Sequence, residues 1–314
     1  DISILKDLGY DVLLSNRIFD SLLFWKYDIL FSYFYRYSFF AALLAKCFGK
    51  KTYFTGGIDS LDSDYASAFN YKIQALFFKL CYWVADSCII VSQSDLKNIF
   101  KVSSLKKKLS YSEHVINTKL FIADVPKEKI FTSIVWMGDE GNVVRKGVDK
   151  ALQIFAELKK IPEFVDYRFV IIGRKGEGEV LVRSIIDKYN LKGSVELKGE
   201  VSEEDKINLL KQSKYYFQLS LYEGFGLAAL EALCANNIII HSGKGGLANP
   251  IYKEQLLFDI DNDFDSELLK LVNKLACFTP ITSYDNLLEY YDIQRRKDDF
   301  EAIIGNGKSN YKLK

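Results

Sequence analysis

Apolar positions along the chain fall into two kinds of run. Short, almost uninterrupted runs recur at 27–33 (YDILFSY), 87–91 (SCIIV), 167–172 (YRFVII) and 237–241 (NIIIH). They are too short for helices and rich in β-branched and aromatic residues, which predicts strands buried on both faces. Between them lie longer, periodic segments. Over 148–159, Val148, Ala151, Leu152, Phe155 and Leu158 share one helical face. The first half then reads as a helix end over 2–8 closed by Gly9, strands over 10–14, 27–33, 51–55 and 87–91, and helices over 37–48, 65–85 and from 94. The second half reads as strands over 133–137, 167–172, 195–198, 214–219 and 237–241, with helices over 148–159, 179–189, 203–212 and 227–235. Apolar strands alternating with helices imply parallel sheets covered on both sides. The rhythm restarts near residue 131, so the pattern predicts two doubly wound α/β domains, 1–127 and 128–314, facing each other across a cleft. The last ~30 residues are left open to pack on either domain.

Length and composition agree with this division. The 314 residues, 49% apolar and 26% charged, suit about two globular domains and exclude a disordered chain. With 42 Lys and Arg against 41 Asp and Glu, the chain is near neutral, so no nucleic-acid partner is expected. The balance is uneven: residues 1–127 carry 16 basic and 12 acidic side chains, leaving 26 and 29 for the rest. Lys106, Lys107 and Lys108 form a basic run, read either as a solvated loop or as a patch that meets an anionic surface. The aromatic stretch 22–54 is interrupted by Lys26, Asp28, Arg36, Lys46, Lys50 and Lys51, so it offers no uncharged span of ~20 residues. These features suggest a cytoplasmic protein, with peripheral contact at the inner face of a membrane through the first domain left open. The five cysteines (47, 81, 88, 234, 277) lack paired spacing and read as reduced core thiols; His114 and His241 read as structural, and no metal site is expected. Met137 is the lone methionine and the chain opens within a helix, so the natural product is expected to extend upstream by roughly one strand–loop unit.

The chemistry concentrates at 221–231, LYEGFGLAALE. This stretch leaves a strand, turns on Gly224 and Gly226 and enters a helix. Amides of Phe225, Gly226 and Leu227 at a helix start lack intrahelical partners and suit an anion. Glu223 and Glu231, eight residues apart, flank them and suit hydroxyls. A diphosphate between two hydroxyl-bearing groups, as in a nucleotide sugar, has this polarity. The alternative for Glu223 is a helix cap; for Glu231, a solvated helix position; for Lys146, Arg174 and Lys175, ordinary surface charges.

The E-G-F-G-L-x-x-L-E run resembles the E-x7-E region of GT4 retaining glycosyltransferases, which have the GT-B fold. Arg145-Lys146-Gly147-Val148-Asp149 is similar to the family's K-G-x-D segment, 169–173 to its glycine-ended strand, and Gly199-Glu200-Val201 to the segment along the base. Residues 242–247 (SGKGGL) resemble the late Gly-Gly loop, and 85–92 the last strand before the linker. The resemblance runs from residue 1 to about 260. It implies a first domain that binds the acceptor, lacking its first strand, and a second that binds the donor. By this resemblance Glu223 binds the transferred sugar and Lys146 neutralises the leaving diphosphate, and these two are the catalytic residues. Glu231 binds the ribose, and Gly224, Phe225, Gly226, Leu227, Arg145, Val201 and Arg174 complete the donor site, with Asp59 on the acceptor side. The donor is expected to be a UDP- or GDP-sugar, with no further cofactor. The acceptor is a hydroxyl of a glycan, lipid-linked glycan or protein, in cell-surface polysaccharide or glycoconjugate synthesis. A binding module or sugar-nucleotide epimerase on the same fold is the rival reading. Three positions depart from the pattern: Asp139 follows Gly138 where arginine is usual, Gly56–Asp59 lack a histidine, and Asn249-Pro250 stand where glutamate often follows.

Overall fold

The computed structural model describes residues 1–56, 58, 61–122, 125–278 and 285–305. The chain divides into two compact units: residues 1–115 together with the stretch from Tyr291, and Ile116–Tyr290.

The first unit holds a parallel sheet of β1 (Ile29–Ser32), β2 (Lys51–Phe54), β3 (Ser87–Ile90) and β4 (Leu109–Tyr111), in that spatial order. Successive side chains point to opposite faces, and both faces are covered. Phe54, Cys88 and Ile90 pack with Tyr35 and Ala42 of α2 (Tyr35–Cys47) and Phe78 and Cys81 of α3 (Ala68–Val84). Tyr53 and Ile89 face the other way, against Ile4 and Leu5 of α1 (Ile2–Asp7) and against Phe300, Ile303 and Ile304. Near the end of the chain, the helix Ile293–Phe300 packs on the first unit. Its Arg296 is fully buried, with Nε and Nη2 on the Asp1 carboxylate at 2.7 and 3.0 Å and Nη1 donating to the Ser112 and Glu113 carbonyls.

The strand expected over 10–14 is not one. Tyr10 and Val12 do turn toward the α1 core while Leu13 and Leu14 are exposed, but no strand among the described residues pairs with them. The alternation therefore records packing rather than a ladder. Cys81, Cys88 and Cys234 are buried free thiols, whereas Cys47 and Cys277 are exposed, so only three of the five sit in a core.

The second unit is built on a six-stranded parallel sheet of β5 (Glu128–Ile134), β6 (Arg168–Ile172), β7 (Val195–Gly199), β8 (Ser213–Gln218), β9 (Ile238–His241) and β10 (Leu256–Leu257). Their spatial order is β10-β9-β8-β5-β6-β7. Strand β5 starts at Glu128 rather than at 133. Its buried polar members are satisfied inside the sheet: Thr132 Oγ1 lies 2.5 Å from Ser213 Oγ, and Ser133 Oγ donates to the Phe217 carbonyl. The described residues among 116–127, placed with the first domain by the sequence pattern, fall in this unit. Lys127 Nζ donates to the carbonyls of Leu210, Lys211 and Ala235 at 3.3, 2.8 and 2.5 Å. Those carbonyls end α8 (Glu203–Gln212) and α9 (Leu227–Cys234), where a cation is favoured. Among the described residues, no helix is long and apolar enough to cross a membrane.

Candidate functional site

In the second sheet the strand order reverses between β5 and β8. Ligands of open α/β sheets sit outside the carboxyl ends of strands at such a reversal. The segments that leave these two strands meet there. After β5 the chain forms α5 (Glu140–Arg145) and turns at Gly147 into α6 (Val148–Leu158). The Leu221 amide donates to the Arg145 carbonyl at 2.8 Å, which stitches the two segments together. Gly147 adopts φ +69°, and a Cβ there would lie 2.0 Å from the Leu219 carbonyl oxygen. Only glycine allows that approach.

The stitch brings Lys146 to Glu223. Lys146 Nζ lies 2.5 Å from Glu223 Oε1, with the side chains 22% and 12% exposed. The same oxygen accepts from Gln218 Nε2 at 2.8 Å and Ser220 Oγ at 2.7 Å. Gln218 is fixed in turn: Tyr216 Oη donates to its Oε1 at 3.2 Å and accepts from the Ile134 amide of β5. Glu223 is therefore not a helix cap. The N-cap of α9 is Gly226, left-handed at φ +89°, and no side chain caps the helix. The Leu227 amide thus lacks an intrahelical acceptor. Gly245 and Gly246 press on the turn from the far side: the Gly246 amide donates to the Glu223 carbonyl at 2.6 Å, and a Cβ on Gly245 would meet that oxygen at 2.2 Å.

Glu231 lies within α9, largely buried, with its Oε1 2.9 Å from Lys206 Nζ. Burial pushes the Glu231 carboxyl above its ordinary range, and Lys206 offsets part of the rise. Neither glutamate, nor Lys146, is a merely solvated charge.

The remaining expected donor residues are less uniform. Arg145 Nε and Nη2 donate to Asn142 Oδ1, so Arg145 and Lys146 have different partners although adjacent. Gly224 is half-buried in the turn, Phe225 is buried and Leu227 is exposed. Val201 packs on an apolar cluster with Ile130, Val170, Ile172 and Leu209, and Arg174 is exposed. Asp59 lies outside the described residues. Asp139, the departure from the arginine pattern, is the N-cap of α5, accepting from the Asn142 amide at 2.6 Å. Sequence reasoning missed Gln218, Ser220 and Lys206. For Gln218 a signal existed, since it is a polar residue that closes a run of buried aromatics; Ser220 and Lys206 give none.

A cavity of about 570 Å³ adjoins this region on the β9 side, lined in part by His241, Lys244, Asn249 and Lys253. His241 is buried beside the Tyr252 ring, and its Nδ1 accepts from the Gly243 amide. Burial pushes its imidazole down from the ordinary 6.5 to about 4. Below pH 6.5 the unfolded chain takes up a proton that His241 in the folded chain refuses, so the contribution of His241 to stability falls as pH drops from 6.5 toward 4. The His241 share of that slope is up to about 1.4 kcal/mol per pH unit. Urea midpoints near pH 7 and pH 4.5 for wild type and His241→Gln provide the check: the variant should lose less stability on acidification, and equal losses would contradict the assignment.

Comparison with known proteins bears on what this arrangement serves. Residues 141–276 match the family glycosyl transferases group 1. That group 1 region contains Lys146, Glu223, Glu231 and both glycine turns. The GDP-mannose:cellobiosyl-diphosphopolyprenol alpha-mannosyltransferase of Xanthomonas campestris is 34% identical over 187 residues, 53% of this chain and 46% of that protein. A human phosphatidylinositol N-acetylglucosaminyltransferase subunit is 30% identical over 105 residues, 33% of this chain and 21% of that one. The chain thus spans between about a fifth and about half of the length of the curated relatives it matches. Among solved structures, Anabaena Alr3699/HepE in complex with UDP-glucose superposes with TM-score 0.74 at 12% identity, covering 97% of this chain and 88% of that one. Sucrose-phosphate synthase from Thermosynechococcus elongatus superposes with TM-score 0.63 at 19% identity, covering 88% and 69%. At such identities the likeness concerns the fold, which is GT-B with two Rossmann-like domains.

Proposed function

We propose that the protein transfers a sugar from a nucleoside diphosphate sugar to a hydroxyl acceptor, with retention at the anomeric carbon. The observation that carries this reading is the Lys146–Glu223 pair near the start of α9, whose N-cap is Gly226, at the strand reversal. The helix start and Lys146 receive the diphosphate, Glu223 the transferred sugar and Glu231 the ribose. The bond from the anomeric carbon to the β-phosphate oxygen breaks, the acceptor oxygen bonds the same face of that carbon, and the acceptor proton leaves with the departing phosphate. Lys146 stabilises the charge that develops on the leaving group. The donor is a UDP- or GDP-sugar, a choice supported by a relative named for GDP-mannose and a structural neighbour bound to UDP-glucose. The acceptor is a lipid-linked glycan or lipid hydroxyl, by the names of the polyprenol and phosphatidylinositol relatives. The test measures free nucleoside diphosphate released from UDP- and GDP-sugars with and without glycolipid acceptors. Acceptor-stimulated release and an α-linked product from an α-donor are expected. Donor binding without release under any pairing would instead identify a binding module.

A further inference from the structure

The helix α3 carries a second feature, on the first unit. Phe69, Lys72, Leu76, Lys79 and Trp83 recur at spacings of three and four and share one helical face. All five are exposed; Phe69, Leu76 and Trp83 are 71%, 55% and 72% accessible. The opposite face is the buried one, with Phe78, Cys81 and Tyr82 in the core. From Phe69 to Trp83 the stripe is about 21 Å long at 1.5 Å per residue. The helix contains no acidic residue.

The basic run is fastened to the far end of this stripe. The Lys108 amide donates to Tyr82 Oη at 3.0 Å, and its Nζ donates to the Trp83 carbonyl at 2.8 Å. Lys106 and Lys107, next to it in sequence, are exposed, with Lys106 Nζ 4.7 Å from the Phe100 ring centre. The acid next in sequence, Asp86, is paired with Lys46 at 2.8 Å. No ion pair among the described residues neutralises Lys72, Lys79, Lys106 or Lys107.

We infer that this stripe is a docking face for an anionic lipid surface. Alternating large apolar side chains and lysines fit a bilayer interface: rings and Leu76 enter the acyl boundary while the lysine stems reach back to headgroup phosphates. Net positive charge along the whole stripe disfavours a second copy of the same face and favours a negative one. The inference does not rest on the transferase reading, since vesicle binding is measured without donor or acceptor.

The experiment is co-sedimentation of the full chain with phosphatidylcholine vesicles, with and without phosphatidylglycerol. Binding is expected to require phosphatidylglycerol and to weaken with salt. Each lysine near such a surface contributes about five-fold in partitioning, so Lys72→Glu with Lys79→Glu should lower binding at least 30-fold. Phe69→Ser with Trp83→Ser should lower it about ten-fold or more, and these exposed sites leave the circular dichroism unchanged. In a Trp25→Phe, Trp136→Phe background, Trp83 emission should shift to the blue on vesicle addition. Equal binding to neutral vesicles, unaltered binding by the double glutamate variant, or no emission shift would each overturn the assignment. Self-association that the stripe variants abolish, without vesicle binding, would assign the face to a second copy instead.

Discussion

Replacing Lys146 by alanine is expected to lower kcat for sugar transfer by about 100-fold or more, the cost of removing one preorganised stabilising group. The effect should fall on kcat more than on KM, because the diphosphate carries its largest charge as the bond breaks. The fold should persist. Glu223 would keep two of the three donors on its Oε1, from Gln218 and Ser220, and the Arg145–Leu221 stitch uses main-chain atoms that the substitution leaves in place. Steady-state kinetics with a matched thermal melt provide the check. An unchanged kcat would mean that the ammonium stays on Glu223 throughout and never meets the donor.

The two glutamates should separate in their effect on free nucleoside diphosphate, which lacks the transferred sugar. A hydrogen bond to a charged group contributes about 1.5–3 kcal/mol, so Glu231→Ala should weaken nucleotide binding roughly ten- to a hundred-fold. Glu223→Gln should act in the opposite direction. In the structure Lys146 is already engaged, and on the proposed reading an incoming diphosphate would have to take it from Glu223. Releasing a partly exposed ion pair of about 1 kcal/mol should tighten nucleotide binding about five-fold, while transfer falls. Calorimetry on both variants decides the matter. Equal weakening would mean that the Glu223 side chain holds the phosphate turn in shape, although the contact from Gly246 is to its carbonyl, not its carboxylate.

Much of this site was readable from the chain. The apolar runs at β6 and β9, Gly226 and the helix after it, and the glutamates at 223 and 231 are local signals that tertiary structure did not override. The pairing of Lys146 with Glu223 was not readable. These residues are 77 positions apart and meet because a main-chain bond from Leu221 to Arg145 joins two loops, and no residue type announces such a bond. The start of β5 was hidden because Glu128, Lys129 and Thr132 break the apolar run, yet Thr132 finds a partner on β8. The segment at 10–14 misled in the other direction: its alternation comes from packing two side chains, Tyr10 and Val12, without a strand among the described residues to bond.

The close approach at Gly147 bears on how a mutational map of this protein should be interpreted. A methyl group there would collide with the Leu219 carbonyl, and one at Gly173 would stand 2.0 Å from the Val135 carbonyl. Positions of this kind tolerate no replacement although they offer a ligand no side chain. Intolerance alone would therefore mark main-chain crossings and substrate contacts with the same intensity. Pairing each activity score with an abundance score separates them: the glycines lose both together, whereas Lys146 loses activity at full abundance.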